Sequence, residues 1–520
     1  MTSTAPVQIN RTEIDGVPVY WAEAPGRLEA SLYFRVGVRG ESFATAGLAH
    51  LIEHLAFTRL PAIKHDHNGQ VELGLTTFTA AGRPEAIATT LADLCGSLAE
   101  IAAGDIDPAV LANEVQVLAA EGSLAVPPAI GEALTLRYGL AGPGLASAEP
   151  VFVERILPGE VAEYASRYFT RGNAVLVLSG PPPEGLRLPL PEGGPMPWVR
   201  TPVVPLAFPA EYMSGGDNLV LSFAIPGAGT SLVGATTVLG KVWGDRVRTT
   251  LRRGRGLVYD VEIDYVSLDA ETAVAIASFE LKPANAVVVA REALAMLRDI
   301  RDNGMTPEEL ADALAPLVEA GEDPQLAVWD ATEEAMVRIG AGFGPPHEQL
   351  LAGAGSVTGG DLALCLSDLE STLLVGLPED SVPEETGPEG VLYPVTQHRP
   401  ADIGAGTEYR RGLLGAVVMK VPRDVRLTVA EEGLRMFGED EARAYRWEDI
   451  AGIAWDAPSE PGAEPDSCTV IGRDGFIVAL VAGWFRRGDR ALKEIASSVP
   501  SRVQYTDSKA AAEGRGTGGS

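Results

Sequence analysis

Residues 47–57 read GLAHLIEHLAF, and two of the chain's six histidines stand four apart within it. Four residues is just over one helical turn, so His50 and His54 share a helix face. Glu53 lies beside the second imidazole. A helix that should only bury Leu51, Ile52, Leu55 and Phe57 thus carries two imidazoles and a carboxylate. Two converging neutral imidazoles are half of a zinc site, and a nearby carboxylate can act as general base. The order H-x-x-E-H inverts the commoner H-E-x-x-H, and both spacings occur in zinc hydrolases. Two histidines satisfied by backbone carbonyls would give the same spacing. The scarcity of histidine here favours metal.

Working outward, EASLYFRVGV (29–38) places Ala30, Leu32, Phe34, Val36 and Val38 on one face of a half-buried strand ahead of that helix. A strand over Leu75–Ala80, a helix from Pro84 to Ala103 and a helix opening at Asp107-Pro108 follow. The strand NAVLVLSG (173–180) closes this half. A Pro/Gly-rich stretch from Gly180 to Pro202 reads as an extended linker. Beyond it the order recurs: strand LVLSFAIPG, helix 235–252, strands YDVEIDYV and ETAVAIASFEL, a long helix, then a helix capped by Thr306 with Pro307 in its first turn. DPAVL in one half and TPEEL in the other look like the same joint built twice. Only the first copy carries H-x-x-E-H.

A catalytic zinc needs a third protein ligand. NEVQVLAAEG offers Glu114 and Glu121, seven apart and so on one helix face. H-x-x-E-H followed by such a helix resembles the insulinase/pitrilysin family of inverted zinc metallopeptidases. EASLYFRVGVRGE and ERILPGEVAEYASRYFTRGNAVLVLSG resemble the family's strand before the motif and the end of its first repeat. The resemblance covers about residues 10–395. It implies that His50, His54 and Glu121 bind Zn2+, that Glu53 activates water, and that Glu114 supports a ligand by hydrogen bonding. LRRGRGLVYDV (251–261) is similar to the segment whose arginine and tyrosine reach the site from the opposite domain. They would be Arg252 and Tyr259, with Arg253 or Arg255 open as substitutes for Arg252. One departure is the interval from His54 to Glu121, shorter than the family usually shows. If it displaced Glu121, His65 or His67 on the connecting loop would be the alternative third ligand.

The composition is globular, 46% hydrophobic and 22% charged. The apolar runs are too short to span a bilayer, and the N-terminus lacks a signal-peptide pattern. Three scattered cysteines fit a reducing compartment, so the expected location is cytoplasmic. A net charge of −30 argues against nucleic acid or an anionic membrane as the main partner. The segment 406–502 differs, with about 16 acidic and 14 basic residues. Its short strands and closing helix Arg486–Val499 resemble a pleckstrin-homology-like module for docking or dimerisation.

The expected fold class is α+β. Two homologous domains, each a mostly antiparallel sheet with helices on one face, precede a small β-rich domain with a capping helix. The expected bounds are 1–180, a linker 181–204, a second domain 205–397, a module 406–503 and a disordered tail 504–520. The expected function is zinc-dependent metalloendopeptidase action on peptides or small unfolded segments inside a chamber. The expected assembly is a homodimer, or a heterodimer with a related chain. A silent peptidase-like scaffold that binds a peptide or partner is the alternative, and a non-peptide amide substrate a third possibility.

Overall fold

The computed structural model describes residues 8–61, 65–121, 126–196, 201–204, 206, 208–342, 344–381, 398–438, 441–458 and 465–507. The first half is built on six strands: β1 (Asn10–Ile14), β2 (Val17–Trp21), β3 (Leu28–Phe34), β4 (Asp66–Val71), β5 (Thr76–Gly82) and β6 (Ala174–Leu178). They pair in the order β1-β2-β6-β3-β5-β4, antiparallel except for β2 and β6. Alternation along β3 buries Ala30, Leu32 and Phe34. Helices α1 (Leu48–Thr58), α2 (Pro84–Ala102), α3 (Pro108–Glu121) and α5 (Pro158–Tyr168) belong to this half, as does α4 (Pro128–Tyr138). Leu51, Ile52 and Leu55 of α1 join the core beneath the sheet. At about 2 kcal/mol each, their burial offsets the few kcal/mol that a buried carboxylate such as Glu53 costs.

The second half repeats this plan. Strands β7 (Ala210–Ser214), β8 (Leu219–Pro226), β9 (Val258–Ser267), β10 (Thr272–Leu281) and β11 (Leu374–Pro378) pair in the order β7-β11-β8-β10-β9. The parallel pair is again at one side, β7 with β11, and every other neighbour is antiparallel. Strand for strand, β2-β6-β3-β5-β4 matches β7-β11-β8-β10-β9. Helix α6 (Val233–Val247) occupies the place of α1, and α7 (Ala286–Asn303) that of α2. Helix α8 (Pro307–Ala320) corresponds to α3, and its Thr306–Glu309 capping box confirms the joint read from TPEEL. α9 (Leu326–Arg338), α10 (His347–Gly355), α11 (Gly359–Cys365) and α12 (Leu369–Thr372) complete it.

Helices on one face only was the expectation, and the other face corrects it. Each half lays one helix across the other's sheet. α4 packs Ile130, Ala133 and Leu134 on Val220, Val274 and Ile276 of the second sheet. α9 packs Ala331, Ala335 and Met336 on Tyr20, Val175 and Val177 of the first. A sheet with both faces apolar needs two covers, and each half supplies only one of its own. Arg137 of α4 is buried in this junction, donating to the carbonyls of Thr372 (2.8 Å) and Ser222 (3.2 Å).

The stretch read as a linker is extended but is not a solvated spacer. Leu186, Leu188 and Leu190 enter the first core, and Asp15 accepts from Arg187 and from the Leu188 amide. The alternation of LRLPL gives it one apolar edge, enough to anchor it.

The last module comprises β12 (Gly406–Arg410), α13 (Leu413–Val417), β13 (Arg426–Ala430), β14 (Gly433–Gly438), β15 (Glu441–Arg446), β16 (Ile450–Asp456), β17 (Ser467–Gly472), β18 (Ile477–Val481), α14 (Gly488–Ser498) and β19 (Gln504–Asp507). Two four-stranded sheets, β12-β13-β14-β15 and β18-β17-β16-β19, share one core with Leu492 and Ile495 of α14. The expectation of a tail from 504 is corrected at its start. Gln504–Asp507 pairs in parallel with β16, and 508–520 lie outside the described residues. The module packs on the first half through Phe152, whose ring meets those of Phe43 and Tyr505, and through the Leu140 amide, which donates to the Arg473 carbonyl. Among the described residues no single helix is long and apolar enough to cross a membrane. One bent pair, His347–Gly355 with Gly359–Thr372, passes by length and composition, but Ala354, Leu362, Cys365, Leu366 and Leu369 sit in the second core.

Candidate metal centre

Helix α1 begins at Gly47, whose φ of 90° suits glycine and which offers no side-chain cap. The cap comes from outside the helix. Glu41 accepts from the amides of Gly47 (2.9 Å) and Ala49 (2.7 Å), satisfying donors that a helix start leaves open, while burial pushes its carboxyl up to about 8 against those hydrogen bonds. Sequence reading missed this residue, since a contact six to eight residues upstream through irregular backbone leaves no periodic signal.

The helix brings the Nε2 atoms of His50 and His54 to 3.2 Å. Glu121, the last residue of α3, places Oε2 3.6 Å from His50 Nε2 and 3.4 Å from His54 Nε2. The short interval after His54 therefore still delivers Glu121 to the histidines. Glu53 Oε2 lies 3.7 and 3.8 Å from the same two nitrogens. His54 Nδ1 is 3.2 Å from Glu114 Oε2, whose other oxygen accepts from Asn113 at 3.0 Å. Two turns of α3 thus set one carboxylate behind His54 and one in front, as the spacing of seven requires.

His65 and His67 stand elsewhere. His65 Nε2 is 3.3 Å from Thr90 Oγ1, and exposed His67 turns Nδ1 back to the His65 carbonyl. His67 lies on the edge strand β4 and His65 immediately precedes it. DHNGQV is too polar to read as a strand, yet it pairs in register with Thr76–Ala81 of β5. Gly69 on β4 passes against Glu53, where a Cβ would lie 1.9 Å from Oε1 and 2.5 Å from Cδ. That glycine is a second residue with no signal in the sequence to single it out.

A tetrahedral zinc with ligand distances of about 2.0–2.2 Å has ligand–ligand edges of about 3.3–3.6 Å. The His50–His54–Glu121 triangle, at 3.2, 3.6 and 3.4 Å, fits that edge length. The protonation states also fit. Burial, with His54 adding, lowers the pKa of His50 and keeps the imidazole in its ligating form. Burial pushes the Glu53 carboxyl up to about 7, with Glu121 and Glu114 adding and His54 opposing. A carboxylate so placed takes and returns a proton near neutrality.

Arg252 and Tyr259 are not part of this cluster. Arg252, on the π-helical turn Arg248–Gly254, lies 3.6 Å from Asp260, and Tyr259 is 52% exposed on β9. Among the described residues neither bonds to the histidines or glutamates above. Arg255 is paired with Glu292. A cavity of about 240 Å³ beside His50 is lined by Glu41, Gly69, Gln70, Val71 and Leu118. A roomier cavity, about 1000 Å³, lies instead where α4, the second sheet and the last module meet.

Residues 194–317 match the family model described as the peptidase M16 inactive domain. The match falls on the half whose α6 carries no histidine. Among solved structures, a protease from Helicobacter pylori superposes with a TM-score of 0.58 at 16% identity, over 72% of this chain and 99% of that one. For pitrilysin the values are 0.56 and 17%, over 74% of this chain and 46% of that one. For a peptidase M16 inactive domain from Pseudomonas fluorescens they are 0.57 and 14%, over 73% and 100%. The chain has the M16 peptidase fold. It spans less than half of pitrilysin, and no curated protein matches its sequence. Within the M16 fold, the half matched as inactive and the half bearing H-x-x-E-H are the two copies whose sheets correspond strand for strand.

Proposed function

We infer that this chain is a zinc-dependent metallopeptidase that hydrolyses peptide bonds in peptides or small unfolded segments. The triangle of His50, His54 and Glu121 carries the reading, since its edges suit zinc and its donors are two imidazoles and a carboxylate. Bound there, zinc supplies Lewis-acid polarisation and a water acidified toward neutrality. Glu53, buried and within 4 Å of both imidazoles, takes the proton of the attacking water and passes it to the leaving amine. Glu114 holds His54 in the tautomer that leaves Nε2 free to ligate. Arg252 and Tyr259, both more than half exposed, act from the second half on the carbonyl of a bound peptide, a cation and a phenol stabilising the developing oxyanion.

The last module, two sheets and a helix around one core, supports the pleckstrin-homology-like reading. With zinc ligands and the Arg/Tyr pair on one chain, a homodimer is self-sufficient, and the proposed setting is cytoplasmic. Equilibrium dialysis against zinc tests the centre itself. Wild type should hold about one ion per chain, and His54→Ala and Glu121→Ala should hold none. Zinc retained at full affinity by both variants would remove the basis of the proposal.

A further inference from the structure

The module's first connection after β12 is the most exposed apolar surface among the described residues. Leu413 (78%), Val417 (75%) and Val418 (67%) are largely exposed, with Leu414 and Met419 about half so. Scattered exposed leucines need no explanation, whereas five such residues within seven positions do. The helix α13 that carries them is held in place. Gly412 donates to the Trp484 carbonyl at 2.8 Å, Val421 donates to the Gly415 carbonyl at 2.8 Å, and Gly415 packs directly on the Trp484 backbone. Gly415 is buried while its neighbours point outward, so the apolar face is presented by a fixed scaffold.

Cations surround it. Arg410, Arg411, Lys420, Arg423 and Arg426 lie between positions 410 and 426, with Asp424 the only acid in that span and Glu408 just before it paired with Arg410. Arg410, Lys420, Arg423 and Arg426 are exposed. Arg486 and Arg487 join them, since the Arg486 amide donates to the Arg410 carbonyl. In a chain of net charge −30, this is a local reversal of sign. The whole-chain balance argued against an anionic membrane, but charges separated by more than about 8 Å are screened at physiological salt.

The knob is also set away from the acidic body. In the sheet β18-β17-β16-β19, the strands β16 and β19 face the first half through Gly452 against Phe43 and Tyr505 against Phe152. α13 instead packs on Ala482–Trp484, which follows β18 at the opposite edge.

We propose that α13 and its basic collar form a docking surface for anionic lipid bilayers. The apolar side chains insert at the headgroup boundary and the collar pairs with lipid phosphates and carboxylates. A second copy fits this face less well, because two collars meeting face to face would oppose like charges.

Co-sedimentation of the full chain with phosphatidylcholine vesicles, with and without phosphatidylserine, tests this. The wild type should partition onto the serine-containing vesicles only, and less so at high salt. Leu413→Asp with Val417→Asp should abolish binding. Lys420→Glu with Arg423→Glu, both surface changes that leave the core intact, should weaken it on the order of thirtyfold or more. Zinc binding and cleavage of a soluble peptide should be unchanged in all of them. No wild-type binding, or equal binding to neutral vesicles, would overturn the proposal. So would a dimer that the Leu413/Val417 variant splits while wild type ignores vesicles, which would assign the face to a second copy.

Discussion

Glu114 Oε2 stands 3.2 Å from Nδ1 of His54, on the side of the ring away from the Glu121 oxygen at 3.4 Å from Nε2. The carboxylate accepts the Nδ1 proton, so the Nε2 lone pair faces the ligand triangle. Glu114→Ala should lower zinc affinity about 10- to 100-fold, the usual cost of losing such a partner. A chelator competition with wild type alongside reads this directly. Unchanged affinity would mean that α1 alone orients the ring.

Gly69 should tolerate no side chain. A Cβ would overlap the Glu53 carboxyl, and Glu53 has little room because it is 7% exposed. Gly69→Ala is expected to cut turnover at least tenfold while KM and bound zinc change little. Wild-type turnover would show that β4 yields and that the close approach is incidental.

Arg137 joins the halves from within. It is 2% exposed, and burial lowers its pKa only to about 10, so it stays charged at neutral pH. Removing its donors leaves the carbonyls of Ser222 and Thr372 short of partners. Arg137→Met should cost about 3 kcal/mol, and thermal unfolding should split into two transitions as the halves uncouple. A single transition at the wild-type temperature would contradict this.

The pair Arg246–Glu309 ties α6 to the start of α8, with Nε donating to Oε1 at 2.6 Å. The hydrogen bond from Arg246 holds the Glu309 pKa below its ordinary value. Its stabilisation is therefore present above the usual glutamate range and lost as pH falls through the lowered pKa. Glu309→Gln should cost about 1 kcal/mol at neutral pH, with the gap to wild type closing in acid. A gap that persists in acid would point to packing instead.

What the sequence showed and what it hid divide along physical lines. The pairs His50/His54 and Glu114/Glu121 were legible because helical spacing alone decides which side chains share a face. The duplication was legible through local signals such as the Thr306 cap. Strand β4 was not, because an edge strand needs no apolar alternation. Glu41 and Gly69 act through contacts that no periodicity encodes. The exchange of α4 and α9 was hidden for a related reason. A sequence reveals that a helix has an apolar face, and only tertiary structure says which sheet covers it. Arg252 and Tyr259 were picked by resemblance, and the structure leaves them exposed and outside the cluster.

The central claim is that Glu53 serves hydrolysis beside a metal held by its neighbours. Cleavage of a mixed peptide pool, mapped by mass spectrometry for wild type and Glu53→Gln with zinc quantified in both, tests it most directly. Cutting by wild type alone, with equal zinc in the two proteins, is the predicted result. Equal cutting by Glu53→Gln, or zinc in both with no cutting by either, would contradict it.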